Sequence, residues 1–155
     1  MLHKQLTIYS YYNILELRQV NMDLHNGTKL VISSQWNNDF LELCKHHAVH
    51  EVYNSLRTDP FGSARPSACL PETTKENVEE HIKKCKEYGI NFNYVINTPC
   101  LDNREYTLEG RKEYYSFLSW LVDIGVDYVT VAIPYLIELI KKYFPSLKVK
   151  VSEIA

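Results

Sequence analysis

One stretch, residues 89–134, constrains the fold of this chain more than any other: GINFNYVINTPCLDNREYTLEGRKEYYSFLSWLVDIGVDYVTVAIP. Ile90 to Asn97 is a short β-rich run holding Phe92, Tyr94, Val95 and Ile96. From Leu108 to Ile124 the apolar residues Tyr114, Phe117, Leu118, Leu121 and Val122 recur on one face of a helix. Gly125 stops that helix, and Val126 to Ile133 is a second apolar strand. A strand–helix–strand unit this tight makes two parallel strands joined by a right-handed crossover. The polar residues gather in the loop after the first strand, Thr98 to Tyr106. In α/β folds that end of the sheet is where ligands bind.

The flanking sequence extends the same alternation. Lys29 to Ser34 (KLVISS) is a strand whose consecutive Leu30, Val31 and Ile32 predict burial on both faces. Asn38 or Asp39 is placed to cap a short helix reaching about His47. Val49 to Asn54 (VHEVYN) is a shorter, more polar strand, and Ser55 to Pro71 is a long irregular loop punctuated by Pro60, Gly62, Pro66 and Pro71. Loops of this length are commonly functional or disordered. Thr73 with Glu76 forms a capping-box pattern for the next helix, which carries Val78, Ile82 and Cys85 inward and ends at Gly89. After Pro134 a helix over Tyr135 to Phe144 is followed by a fifth strand, Leu147 to Ile154 (LKVKVSEI). Five strands alternating with four helices predict a parallel sheet with helices packed on it. Two architectures satisfy that order: a partial β/α (TIM-type) barrel, or an open doubly wound sheet. A closed barrel usually takes about 250 residues, so this length predicts an incomplete one. The least legible segment, residues 1–27, reads as an N-terminal extension to a β/α domain over 28–155, and Asn26-Gly27 is a turn signal between them.

Composition narrows the function classes. A net charge of −2 offers no basic footprint for nucleic acid. No apolar run reaches the roughly 20 residues of a membrane span, and the N-terminus lacks the pattern of a signal peptide. Cys44, Cys69, Cys85 and Cys100 are widely spaced with no C-x-x-C pair, which predicts reduced thiols in a cytoplasmic protein. The first strand is followed by Ser33, Ser34, Gln35 and Trp36 where a dinucleotide-binding sheet would carry glycines.

The order EVYNSL, a loop with GSARPS and LPE, EYGINFNYVINTPCLDNREYT, then LVDIGVDYVTVAIPYLIELIKKYFPSLKVKVS resembles peptidase family U32, the collagenase-like proteins, over about Thr28 to Ala155. Its most specific pieces are Asn93-Tyr94 and Cys100-Leu101 with Asn103-Arg104-Glu105-Tyr106, followed by Ile124-Gly125-Val126-Asp127. The resemblance implies the N-terminal portion of a β/α barrel and a peptidase or hydrolase activity, with peptide or RNA as substrate classes. It also implies an alternative: a non-catalytic or partner-dependent subunit related to an iron–sulfur hydroxylation branch of the same family. The family's signature cysteines lie in a C-terminal half beyond this sequence, so no cofactor is expected in this chain, and an iron–sulfur cluster only in that missing half. A homo-oligomer or a second chain completing the barrel is the partner such a portion would need.

Candidate chemistry follows from residue type and place. Arg104 is suited to clamp a carboxylate or phosphate, and Asp102 or Glu105 to serve as base or cation ligand; the structural alternative is a turn at Asp102-Asn103 and an Arg104–Glu105 ion pair. Asn97 and Glu153 stand at the ends of the third and fifth strands, with Ser152 beside the latter. Arg57, Asp59 and Arg65 in the long loop suggest an anion-binding loop, or equally a surface loop pinned by prolines. The candidate substrate-binding residues are therefore Arg65, Asn97, Asp102, Arg104, Glu105 and Glu153. Cys100 is a nucleophile only if a neighbouring charge lowers its pKa, and a buried free cysteine is the commoner case. His46, His47 and His50 invite a metal reading, but adjacent His46 and His47 diverge on a helix and no carboxylate stands at ligand spacing, so a solvated helix end is expected instead. Tyr114, Tyr115, Phe117 and Trp120 read as packing residues.

Overall fold

A computed structural model describes residues 27–153. The proposed extension over residues 1–27 therefore lies, up to residue 26, outside the described residues, as does the end of the predicted fifth strand. The elements are β1 (Leu30–Ser33), α1 (Asn38–Cys44), β2 (Val49–Asn54), α2 (Lys75–Glu87), β3 (Asn91–Ile96), α3 (Leu108–Asp123), β4 (Tyr128–Val131), α4 (Pro134–Tyr143) and β5 (Lys148–Val151). Short 3₁₀ turns at Ser67–Cys69 and Arg104–Tyr106 interrupt the loops after β2 and β3.

All four strand pairs are parallel, and the sheet order is β1-β2-β3-β4-β5. A doubly wound sheet reverses its order at a switch point. This one advances one neighbour at a time, the order of a β/α barrel, and stays open between β1 and β5. Right-handed crossovers repeated in one direction put every helix on the same side of the sheet.

Side-chain alternation confirms the one-sided arrangement. Val52, Phe92, Tyr94, Ile96, Val129 and Val131 share one face and pack with Leu41, Val78, Ile82, Leu118, Leu121, Leu136 and Ile140 of the helices in a single core. The opposite, inner face carries Glu51 and Tyr53 of β2, Asn91 and Asn93 of β3, Tyr128 and Thr130 of β4, and Lys148 and Lys150 of β5, as the pairing register dictates.

The local stops and starts are mostly chemical. Gly89 and Gly125 take positive φ (69° and 84°) after α2 and α3, where a Cβ is disfavoured. Pro134 opens α4 at its first position, where no backbone N–H is needed. Three details depart from expectation. The side chain of Asn37, not Asn38 or Asp39, caps α1 by accepting from Asp39 N and Phe40 N. Thr74 caps α2 by accepting from Asn77 N, while Thr73 bonds the Asn77 side chain; the helix starts one residue later than the Thr73–Glu76 pattern implies. β1 is half-buried throughout, not buried on both faces, because it is an edge strand with β2 on one side only.

Candidate functional site at the strand ends

The loops after β2 and β3 meet at the C-terminal edge of the sheet. Their anchor is Tyr94, fully buried on β3, whose hydroxyl donates to Asp59 Oδ2 at 2.7 Å and accepts from Leu56 N at 2.9 Å. Asp59 Oδ1 accepts from Phe61 N at 2.9 Å and Gly62 N at 2.7 Å. A single carboxylate therefore ties the strand to the loop and folds the loop on itself. Asn97, just past β3, adds a second tie by accepting from Ala64 N at 3.2 Å. The ring of Phe61 stacks on Tyr114 of α3 with centroids 4.8 Å apart, which closes the loop over the helix.

Two clefts flank Asp59. The larger, about 490 Å³, is lined by Asp59, Lys75, Arg104, Glu113, Phe117 and Trp120 among others, and the smaller, about 210 Å³, by Asp59, Gly62, Cys100, Asp102 and Arg104 among others. Asp59 and Arg104 belong to both. Burial raises the Asp59 pKa against the opposing pull of the Tyr94 hydroxyl and the Gly62 and Phe61 amides. Desolvation penalises the anion more than these three donors stabilise it.

The loop after β3 is built tightly. Asp102 and Asn103 both adopt left-handed backbone (φ 53° and 60°), a conformation these residue types tolerate best among non-glycines. The turn swings Asp102 N onto Cys100 Sγ at 3.2 Å. Arg104 pairs with Glu113 of α3 and reaches Pro60 O at 3.4 Å. The expected Arg104–Glu105 pair is thus corrected to Arg104–Glu113: the 3₁₀ turn at Arg104–Tyr106 directs the guanidinium toward α3. Pairing with Glu113 holds the Arg104 pKa above its ordinary value. Glu105 keeps one buried carboxylate oxygen without a hydrogen-bond partner among the described residues, as does the hydroxyl of Tyr114.

The site candidates separate into groups. Asp102 and Arg104 share the smaller cleft with Asp59. Asn97 braces the loop. Arg65 instead lies over the ring of Tyr53 at 5.9 Å, on the inner face of the sheet. Glu153 is exposed beyond the end of β5. Cys100 is exposed rather than buried, because in this loop it is the neighbouring Leu101 that fills the core position. Arg57 is spent on structure, donating to Leu70 O and pairing with Glu72. His46 and His47 are exposed on the turn after α1, whereas His50 sits on β2.

No three His, Cys, Asp or Glu side chains gather into a metal-holding group among the described residues. The donor set also does not fit a cluster: Cys44 and Cys85 are buried in the core with pKa values pushed up to about 12 by burial, while Cys69 and Cys100 are exposed on separate loops. A cluster ligand must be a thiolate, which the two core positions disfavour.

Sequence reasoning missed a polar set on the inner face. Lys150 Nζ donates to both oxygens of fully buried Glu51 at 2.6 and 2.5 Å, Asn93 Nδ2 donates to Glu51 Oε1 at 3.0 Å, and Thr130 Oγ1 donates to Asn93 Oδ1 at 3.0 Å. Four strands thereby share one network. The signal was present: β3, β4 and β5 read N-F-N-Y, Y-V-T-V and K-V-K-V, a period of two that marks one apolar and one polar face.

Among the described residues no helix is long and apolar enough to cross a membrane. No protein-family profile matches the sequence. An uncharacterized protease of Methanocaldococcus jannaschii is 33% identical over 88 residues, 57% of this chain and 26% of that protein. The chain thus spans about a quarter of the length of the curated relative it matches. The solved structure of a U32 peptidase superposes with a TM-score of 0.53 at 24% identity, over 67% of this chain and 40% of that one. An arginine decarboxylase from Paramecium bursaria Chlorella virus reaches a TM-score of only 0.45 at 11% identity, too distant to bear on function. The chain is thus similar over part of its length to an uncharacterized protease, and its sequential parallel sheet shares the fold of the U32 peptidase structure.

Proposed function

We propose that this chain supplies part of the active-site rim of a U32-type peptidase, with peptide as the substrate and Asp59 as the proton-handling group. The observation that supports this reading is the position of Asp59: a desolvated carboxyl with a raised pKa, in the wall of both clefts, beside Arg104. Raising a carboxyl's pKa brings it closer to neutrality, where a general base is most effective. In this role Asp59 takes a proton from the water that attacks the scissile carbonyl and returns it to the leaving amine. Lys75 and Arg104 line the larger cleft with Asp59 and are placed to stabilise the developing oxyanion, while Phe117 and Trp120 offer an apolar wall for a substrate side chain. Asn97, Asp102 and Glu105 shape the substrate-binding loop in this reading; Glu153 is assigned to its outer margin, and Arg65, over Tyr53 on the inner face, stands apart from it.

The test is hydrolysis of gelatin and of a quenched-fluorescent peptide panel by the full chain. Asp59→Asn should lower kcat by at least about 100-fold, the usual size of a general-base contribution. Turnover unaffected by that change, or none by the wild-type chain, defeats the catalytic assignment.

A second reading, a partner-dependent subunit, is favoured by one feature. Val151 lies on the helix-side face of β5 yet is 67% exposed, so an apolar position on the open edge has no cover among the described residues. A homo-oligomer or a second chain continuing the barrel would cover it. Light scattering that finds a stable monomer, with β5 amides protected from exchange, counts against this reading. The iron–sulfur branch remains attached to it only through such a partner. A cytoplasmic location suits either reading, since all four thiols are free.

A further inference from the structure

The inner face of this sheet is unlike the interior of an ordinary β/α barrel, which layers of branched apolar side chains fill. One cross-strand row here reads Tyr53, Asn93, Tyr128, Lys148. The next polar positions are Glu51, Thr130 and Lys150. The charges on this surface are unbalanced. Lys148 and Lys150 both hold their ammonium groups over the one Tyr128 ring, 5.2 and 4.6 Å from its centroid, which puts them within about 10 Å of each other. Two like charges that close repel unless anions lie between or beside them. Lys150 is matched by Glu51; Lys148 forms no ion pair among the described residues. At the other end of the row the Arg65 guanidinium lies over Tyr53, with Nη2 buried and lacking a hydrogen-bond partner among the described residues. Three cations and one carboxylate therefore face the same surface. Adjacent strands lie ~4.8 Å apart, so the two rings under these cations, Tyr53 and Tyr128, stand roughly 10 Å apart across Asn93.

We infer that this inner face binds a small dianion through anionic oxygens, held between Arg65 over Tyr53 and the ammonium groups of Lys148 and Lys150 over Tyr128. Charge sets the class: two positive charges on the face are left uncompensated. Geometry sets the size: the two cationic ends flank Asn93, and Asn93 is already committed to Glu51 and Thr130, so the ligand sits above it and does not replace it. The fork of Arg65 suits two oxygens of one carboxylate or phosphate, and the third N–H of Lys150 remains for the other end. Glu51 has a positioning role: it holds Lys150 upright over β3 and β4, three strands from its own place on β2. A dicarboxylate and a phosphate monoester share this chemistry.

The experiment is a ¹H–¹⁵N NMR titration of the full chain with succinate and, separately, with inorganic phosphate, at constant ionic strength. Saturable shifts are expected at Tyr53, Asn93, Tyr128, Lys148 and Lys150 with one or both anions, and the tighter one names the source. Arg65→Met and Lys148→Met should each weaken binding roughly tenfold, the loss of one charge-assisted hydrogen bond. Lys148 is exposed, so its variant keeps the fold and the test stays informative. Asp59→Asn should bind the dianion with unchanged affinity, which separates this site from the rim cleft. Shifts that never saturate, that map to other surfaces, or that survive Lys148→Met with undiminished affinity overturn the inference.

Discussion

Gly110→Ala reverses a simple expectation, and the structure says by how much. Gly110 is the third residue of α3, and helix propensity alone favours alanine there by ~1 kcal/mol. A Cβ built on Gly110, however, falls 2.2 Å from the carbonyl oxygen of Arg104 and 2.8 Å from its carbon. Both are backbone atoms that no rotamer change can move. That same oxygen accepts from Thr107 N at 3.0 Å and Thr107 Oγ1 at 2.9 Å, and Thr107 Oγ1 caps the helix by accepting from Gly110 N at 3.0 Å. Accommodating the methyl means pushing the 3₁₀ turn at Arg104–Tyr106 off the helix. Overpacking costs about 1–3 kcal/mol, and each loosened hydrogen bond ~0.5–1.5 kcal/mol. Less the propensity gain, the net destabilisation is about 2 kcal/mol. For a domain of this size that lowers Tm by about 4–8 °C. Urea unfolding followed by circular dichroism measures it, with amide exchange at Thr107 and Gly110 as the local readout. A Gly110→Ala protein as stable as the parent would refute the reasoning, because the Arg104 backbone would then have room the structure denies it.

Three further outcomes follow from burial and charge. Burial pulls the His81 pKa down to about 4, below its ordinary value near 6.5; its stabilising contribution is present above that ordinary value and is lost as pH falls through about 4, by up to roughly 3 kcal/mol, so His81→Leu should flatten the acid limb of a Tm-versus-pH curve, and an unchanged limb would rule this out. Lys150→Met strands fully buried Glu51 and should cost about 2 kcal/mol, less than a fully buried pair because Lys150 is 38% exposed; adding Glu51→Gln should recover most of it, and strict additivity in the double-mutant cycle would deny the coupling. Cys69 and Cys100 should react with a disulfide reagent in the folded protein while Cys44 and Cys85 wait for unfolding; four fast thiols would contradict the burial.

The alternation of β-rich and helical segments was enough to determine the class, the count of elements and the parallel sense, because a strand–helix–strand unit this short admits only a right-handed parallel crossover. The stops at Gly89 and Gly125 and the helix start at Pro134 were equally local and equally legible. What local pattern left open was which strand neighbours which. Both a doubly wound sheet and a partial barrel satisfy the same alternation, and only the pairing register chose sequential order. The functional residues divide the same way. Arg104 stands out in the loop after β3 as a polar residue at a strand end, but its partner is Glu113 on α3, nine residues on, and sequence adjacency favoured Glu105. Asp59 matters because Tyr94, 35 residues later, donates to it in a desolvated setting. Glu51 and Lys150 lie 99 residues apart and meet only because the sheet lays β2 and β5 in one curved surface. Sequence acts through neighbours along the chain, so it set the elements; desolvation and charge pairing act through space, so the site existed only once the strands were stacked.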